Sequence, residues 1–79
     1  MLGEGNLNSI YPNPAREIVT FQVGNALLNT TANLYNIAGR KVQNIVITNV
    51  NQEINIKALT SGLYILKFAD GTADRFLKE

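Results

Sequence analysis

The stretch LYILKFADGTADRFLKE, residues 63–79, decides the fold. LYILKFA is the densest strand-like run in the chain. Asp70-Gly71 follows it, a strong short-hairpin signal because glycine reaches positive φ without steric cost. TADRFLKE then returns as the last strand. Working backward, the same grammar recurs. QEINIKAL alternates, with Ile54 and Ile56 inward and Glu53, Asn55 and Lys57 outward. KVQNIVITNV is a strand candidate rich in Val and Ile, and Asn49-Val50-Asn51 at its end reads as a turn. NIAGRKV has the form of a hairpin loop, with Gly39 free to take positive φ. In LLNTTANLYNI, Ala32 and Leu34 share one face and Asn33 and Tyr35 the other. REIVTFQVG alternates Val19, Phe21 and Val23 with Thr20 and Gln22, the period of a half-buried strand. No sustained helical period interrupts this. Six to seven short strands, separated by turn residues roughly every ten positions, predict an all-β antiparallel sandwich.

Bulk properties bound the function. A chain of 79 residues suits one domain, and a domain that small buries only roughly 60% of its unfolded surface. The apolar share, 46%, is ordinary for a globular domain. Net charge is +1 and the sole adjacent basic pair is Arg40-Lys41, which argues against a nucleic-acid partner. The chain has neither cysteine nor histidine. That removes thiol nucleophiles, Ser-His-Asp arrangements, the usual zinc sites and any disulfide framework, and no cofactor is expected. MLGEGN at the start has neither a basic beginning nor an apolar run of signal-peptide length. Runs such as Ile45-Val46-Ile47 fall far short of the ~20 residues a spanning helix needs. The expectation is a protein that stays inside, or a piece of one whose export signal lies elsewhere.

Candidates for chemistry resolve into structural duties. Glu4, Glu17, Glu53, Asp70, Asp74 and Glu79 are the carboxylates. Asp70 reads as a turn former and Asp74 as a surface charge, not as a glycosidase pair. No dense Asp/Asn loop offers calcium its six to eight oxygens. Asn29-Thr30-Thr31 matches the short glycosylation pattern, which recurs by chance. Tyr11, Tyr35 and Tyr64 could form a sugar platform, but read better as core or core-edge residues whose hydroxyls reach a partner. Gly39 and Gly62 read as backbone necessities. These residues argue against an enzyme and for a binding or structural module.

The remaining puzzle is SIYPNPA, residues 9–15. Each proline lacks an N–H and pushes the residue before it, Tyr11 or Asn13, toward extended geometry. Residues 1–8, with two glycines and two asparagines, read as a flexible lead-in or linker end, and residues 9–79 as the domain.

The order of these signals is more specific than any of them. Pro12-Asn13-Pro14 opens the domain after Tyr11; Leu34, Tyr35, Gly39 and Arg40 stand in the middle; Leu59, Gly62 and Tyr64 follow; Arg75, Phe76, Leu77 and Lys78 end the chain. This series resembles the C-terminal sorting domain (type A) of proteins exported by the type IX, or Por, secretion system of Bacteroidota, from Asn8 to Lys78. Two departures exist: Asn36 stands where the family often has Asp, and Glu79 follows the final lysine. The resemblance implies a non-catalytic address label at the C-terminus of a larger secreted protein. An N-terminal signal peptide would take the cargo to the periplasm. Shuttle components and the outer-membrane translocon would recognise the folded label. A sortase-like protease at the surface would cut ahead of the domain, and the cargo would be released or joined to a lipopolysaccharide anchor. Met1 would then not be the natural start of the whole protein, and residues 1–8 would hold the cut. The last strand is expected at a sheet edge, where free N–H and C=O groups can be extended by a partner strand, including that of a second copy. Two other readings stay open: an immunoglobulin-like adhesive or carbohydrate-binding module of a secreted protein, and an oligomerising domain.

Overall fold

The computed structural model describes residues 9–12 and 14–79. Seven strands form: β1 (Ser9–Tyr11), β2 (Ile18–Gln22), β3 (Thr31–Asn36), β4 (Lys41–Val46), β5 (Asn51–Asn55), β6 (Gly62–Lys67) and β7 (Ala73–Lys78). They make two antiparallel sheets, one ordered β1-β2-β5 and the other β4-β3-β6-β7. The expected all-β sandwich is therefore the fold, at the upper end of the expected strand number.

Alternation in the sequence decides what each strand buries. Val19 and Phe21 on β2, Ala32 and Leu34 on β3, Ile54 on β5, Tyr64 and Leu66 on β6 and Phe76 on β7 all face the space between the sheets. Ile56 and Phe68, just past β5 and β6, join them. Phe21 and Phe68 meet edge to face, ring centroids 5.5 Å apart at 65°. Full burial of one such side chain stabilises the fold by about 1.5–3 kcal/mol, so this cluster is the main term holding the sheets together.

Two hairpins close the larger sheet, where the sequence signals put them. Between β3 and β4 the Gly39 N–H donates to Asn36 O (2.9 Å), with Gly39 at φ +85°. Between β6 and β7 the Gly71 N–H donates to Phe68 O (3.1 Å), with Gly71 at φ +91°. Asparagine or aspartate side chains brace both turns. Asn36 Oδ1 accepts the Ala38 and Arg40 N–H groups, and Asp70 Oδ1 accepts the Thr72 N–H and hydroxyl. A carboxylate at position 36 would accept the same two bonds, so Asn36 in place of the family's Asp leaves this turn intact.

One run is shorter than its composition suggested. LLNTTANLYNI becomes strand only from Thr31, because Asn25–Leu27 winds into a single 3₁₀ turn that drops Leu27 into the core. Asn29 then takes φ +65°, a conformation asparagine tolerates, and its N–H donates to Ile47 O (2.7 Å). The turn at Asn49–Asn51 forms as expected, with Asn49 Oδ1 accepting the Asn51 N–H. It carries the chain from β4 in one sheet to β5 in the other. The reading of residues 1–8 as a lead-in lies outside the described residues. Among the described residues no helix is long and apolar enough to cross a membrane.

Candidate recognition surface

The two ends of the domain meet. β7 is an edge strand of the larger sheet, as expected, pairing with β6 on one side. On its other side the segment after Pro14 lies against its end. The Ala15 N–H donates to Leu77 O (2.8 Å), and the Glu79 N–H donates to Ala15 O (2.8 Å), forming a short parallel bridge. Ala15 is fully buried there, so only a small side chain fits. Arg16 Nε adds an exposed ion pair to Glu79 Oε1 at 2.9 Å, of a kind worth at most about 1 kcal/mol. The last strand is therefore not an open edge along its whole length. Its C-terminal end is already occupied by its own chain. Ladder alternation leaves the N–H and C=O of Ala73 and Arg75 pointing away from β6.

Beside this bridge stand the residues of the opening motif. Tyr11, Pro12 and Pro14 are exposed, and the Tyr11–Pro12 bond is cis. Tyr11 is half exposed (49%), which corrects the reading of it as a core or core-edge residue. The reason is its register: Ile10 packs on the core, so its neighbour on the same strand faces out. Asn13 lies outside the described residues. At the far end of the motif series Arg75 and Leu77 are exposed, Lys78 is half-buried, and the Lys78 ammonium donates to Glu79 O (3.1 Å).

Other motif residues sit elsewhere and serve the frame. Leu34 and Phe76 are buried, and Leu59 packs against the core from its margin. Tyr64 is buried, its ring stacked on Phe76 at 5.8 Å, and its hydroxyl donates to Thr60 O (2.7 Å). The expected core role with a partnered hydroxyl holds for Tyr64 alone. Gly62 has φ +150°, and nothing lies within 4 Å of a Cβ added there. Backbone conformation, not close approach, explains that glycine. Gly39 and Arg40 belong to the β3–β4 hairpin, with Arg40 exposed at its end. Tyr35 is half-buried on the outer face of the larger sheet, where Lys67 Nζ stands 5.3 Å over its ring. That differs from the core or core-edge position expected of it; the alternation read from the sequence holds, and because Leu34 takes the inner face, Tyr35 lies on the outer one.

Sequence reasoning missed three residues here. Ala15 and Glu79 carry the bridge between the ends, and no local signal marks a contact between such distant positions. Asp74 was read as a simple surface charge, yet it faces inward beside Phe76. Its Oδ2 is buried with no hydrogen-bond partner among the described residues. Burial pushes its pKa up from the ordinary carboxylate value, whereas the Thr72 hydroxyl and N–H hold that of Asp70 down. Among the described residues no cluster of three or more His, Cys, Asp or Glu side chains gathers that could hold a metal. The described residues offer shape and a hydrogen-bonding edge.

Residues 9–78 match the family described as the secretion system C-terminal sorting domain. Beta-agarase A of Zobellia galactanivorans is 30% identical to this chain over 57 residues. That match spans 72% of this chain and 11% of the agarase, so the chain corresponds to a small part of that relative's length. No solved structure matches it.

Proposed function

Since the chain belongs to the family of secretion system C-terminal sorting domains, which serve type IX secretion and are not catalytic, we propose that residues 9–79 act as a folded, non-enzymatic label on a larger cargo. The family carries proteins to the cell surface or out across the outer membrane. The finer route is our reading. A signal peptide on the cargo brings it to the periplasm. Shuttle components and the outer-membrane translocon bind the folded label. A sortase-like protease then cuts within residues 1–8, and the cargo is released or joined to a lipopolysaccharide anchor.

One observation carries this reading. The opening PNP segment and the terminal strand, the two ends of the motif series, are tied together by the Ala15 bridge. A partner meeting this corner would meet both at once, in a geometry already paid for by folding, which lowers the entropy lost on docking. On this account Tyr11, Pro12, Pro14, Arg75, Leu77 and Lys78 form the recognised corner, with Arg40 presented from a separate hairpin; Asn13 joins them by sequence motif alone. Leu34, Tyr35, Gly39, Leu59, Gly62, Tyr64 and Phe76 act through the frame. The outward backbone groups of Ala73 and Arg75 could pair with a strand of the machinery or of a second copy, although the Ala15 bridge shortens that edge.

The cleavage step is tested by fusing residues 1–79 behind a periplasmic reporter in a Bacteroidota host and weighing the reporter recovered from the surface or medium. A mass ending ahead of Ser9 supports the scheme. A surface reporter that keeps residues 9–79 intact contradicts the cut.

A further inference from the structure

Strand β6 reads GLYILK, an almost continuous apolar run of the kind found in strands buried on both faces. Only one of its faces is covered by the smaller sheet. Tyr64 and Leu66 point into the core, so Leu63, Ile65 and Lys67 point out. Register then assembles the rest of that outer face. Ile65 lies between Tyr35 of β3 and Arg75 of β7, Leu63 lies beside Leu77, and Lys41 of β4 pairs with Tyr35 on the far side. A stripe of Tyr35, Ile65, Leu63 and Leu77 thus runs across three strands, with Leu77 46% exposed.

The charges around the stripe have one sign. Lys41, Lys67 and Arg75 flank it. The described carboxylates are all elsewhere: Glu17 ahead of β2, Glu53 on the other sheet, Asp70 in a turn, Asp74 on the inner face, and Glu79 held by Arg16. On a chain of net charge +1, this face gathers three cations and, among the described residues, no anion. Lys67 is also held over the Tyr35 ring, so its position is set rather than free.

We propose that this outer face is a second docking surface, and that its occupant is a protein of the export machinery presenting an aliphatic centre rimmed by carboxylates. The inference rests on the sorting-label reading and adds a surface and a partner chemistry to it. A tyrosine and an arginine around aliphatic side chains on a rigid sheet is the composition of a protein interface core. A phosphate-bearing membrane surface fits less well. Each surface cation contributes only about 1 kcal/mol to such binding, and three spread over separate strands make a weak lipid site.

The test uses the reporter fusion in an exporting host, with four labels: the unaltered chain, Ile65→Thr, the double reversal Lys41→Glu with Lys67→Glu, which leaves the Arg75 corner untouched, and Lys57→Glu as a charge control in the β5–β6 connection. Thermal melts of each purified domain run alongside. Ile65→Thr keeps strand propensity, and the double reversal touches no core residue. If one of them fails to fold, the other decides. The expectation is a drop in export of at least about tenfold for both face variants, equal to about 1.4 kcal/mol of docking, with melts within a few degrees of the unaltered domain. Lys57→Glu is expected to export normally. Folded face variants that export normally would overturn the second surface and leave the label standing. An equal loss from Lys57→Glu would overturn it as well, since net charge alone would explain the effect. An unaltered label that stays in the periplasm would overturn the label itself. Flotation of the unaltered domain, but not the double reversal, with phosphatidylcholine vesicles carrying lipid A would replace the protein partner by a phosphate surface.

Discussion

Removing Arg75 to Glu79 should unfold the domain, not merely strip a contact from it. These residues form most of β7, and Phe76 among them is 1% exposed and stacked on Tyr64. Losing a buried phenylalanine side chain costs about 3–5 kcal/mol. The deletion also removes the Leu77 O acceptor and the Glu79 N–H donor that flank Ala15, each bond net worth about 0.5–1.5 kcal/mol, together with the ladder to β6. A domain of 79 residues has a total stability of roughly 4–12 kcal/mol, so the loss is of the same size as the whole. Far-ultraviolet circular dichroism on heating reads this directly. The truncated chain should show no cooperative transition, and Phe76→Ala should lower the melting temperature by at least about 12 °C. Arg75→Ala with Lys78→Ala, which leaves the core alone, should stay within about 0.5 kcal/mol of the parent. A truncated chain that melts cooperatively within a few degrees of the intact one would refute this account of β7. Loss of export on truncation would then report a lost contact and nothing about the fold.

Gly62→Ala and Gly62→Val should both destabilise by about 1–3 kcal/mol in denaturant titrations, because the strain lies in φ +150° and no neighbour crowds the site. A valine variant far worse than the alanine would point to crowding instead. Tyr64→Phe should cost about 1 kcal/mol, a fall of roughly 4–8 °C in Tm, for the lost bond to Thr60 O; an unchanged Tm would mean that bond is neutral. Asp74→Asn should stabilise the domain at neutral pH. Burial raises the folded-state pKa of Asp74 above its unfolded value, so ionisation is a cost that appears as pH rises through that range and vanishes below the unfolded pKa. The difference between parent and Asp74→Asn should accordingly close as pH falls toward the unfolded carboxylate value, and a gap that persists in acid would assign the effect to something other than charge.

Most of the fold is legible because its signals are local. Val19 and Phe21, or Ile54 and Ile56, betray their strands by period alone, and Gly39 and Gly71 mark the two hairpins by the φ they supply. The start of β3 is not legible in the same way. Leu27 and Asn29 look strand-compatible, but the chain must turn there to seal the core and meet Ile47. Tyr11 and Tyr35 show the limit of residue type as a guide to burial: each is turned outward by a neighbour, Ile10 or Leu34, that takes the inner face. The candidate corner is the least legible part. Its motif residues are visible in order along the chain, and the family resemblance they carry agrees with the match over residues 9–78. That Ala15 joins Leu77 and Glu79 is a fact of tertiary closure, and no local spacing encodes it.

The central claim is that this folded domain is sufficient to direct a cargo through type IX secretion. The most direct measurement compares two Bacteroidota strains, one with an intact translocon and one without, each making a periplasmic reporter fused to residues 7–79. Surface or medium fractions should contain the reporter only in the strain with the translocon. Periplasmic retention in both strains, or arrival at the surface in both, would contradict the claim.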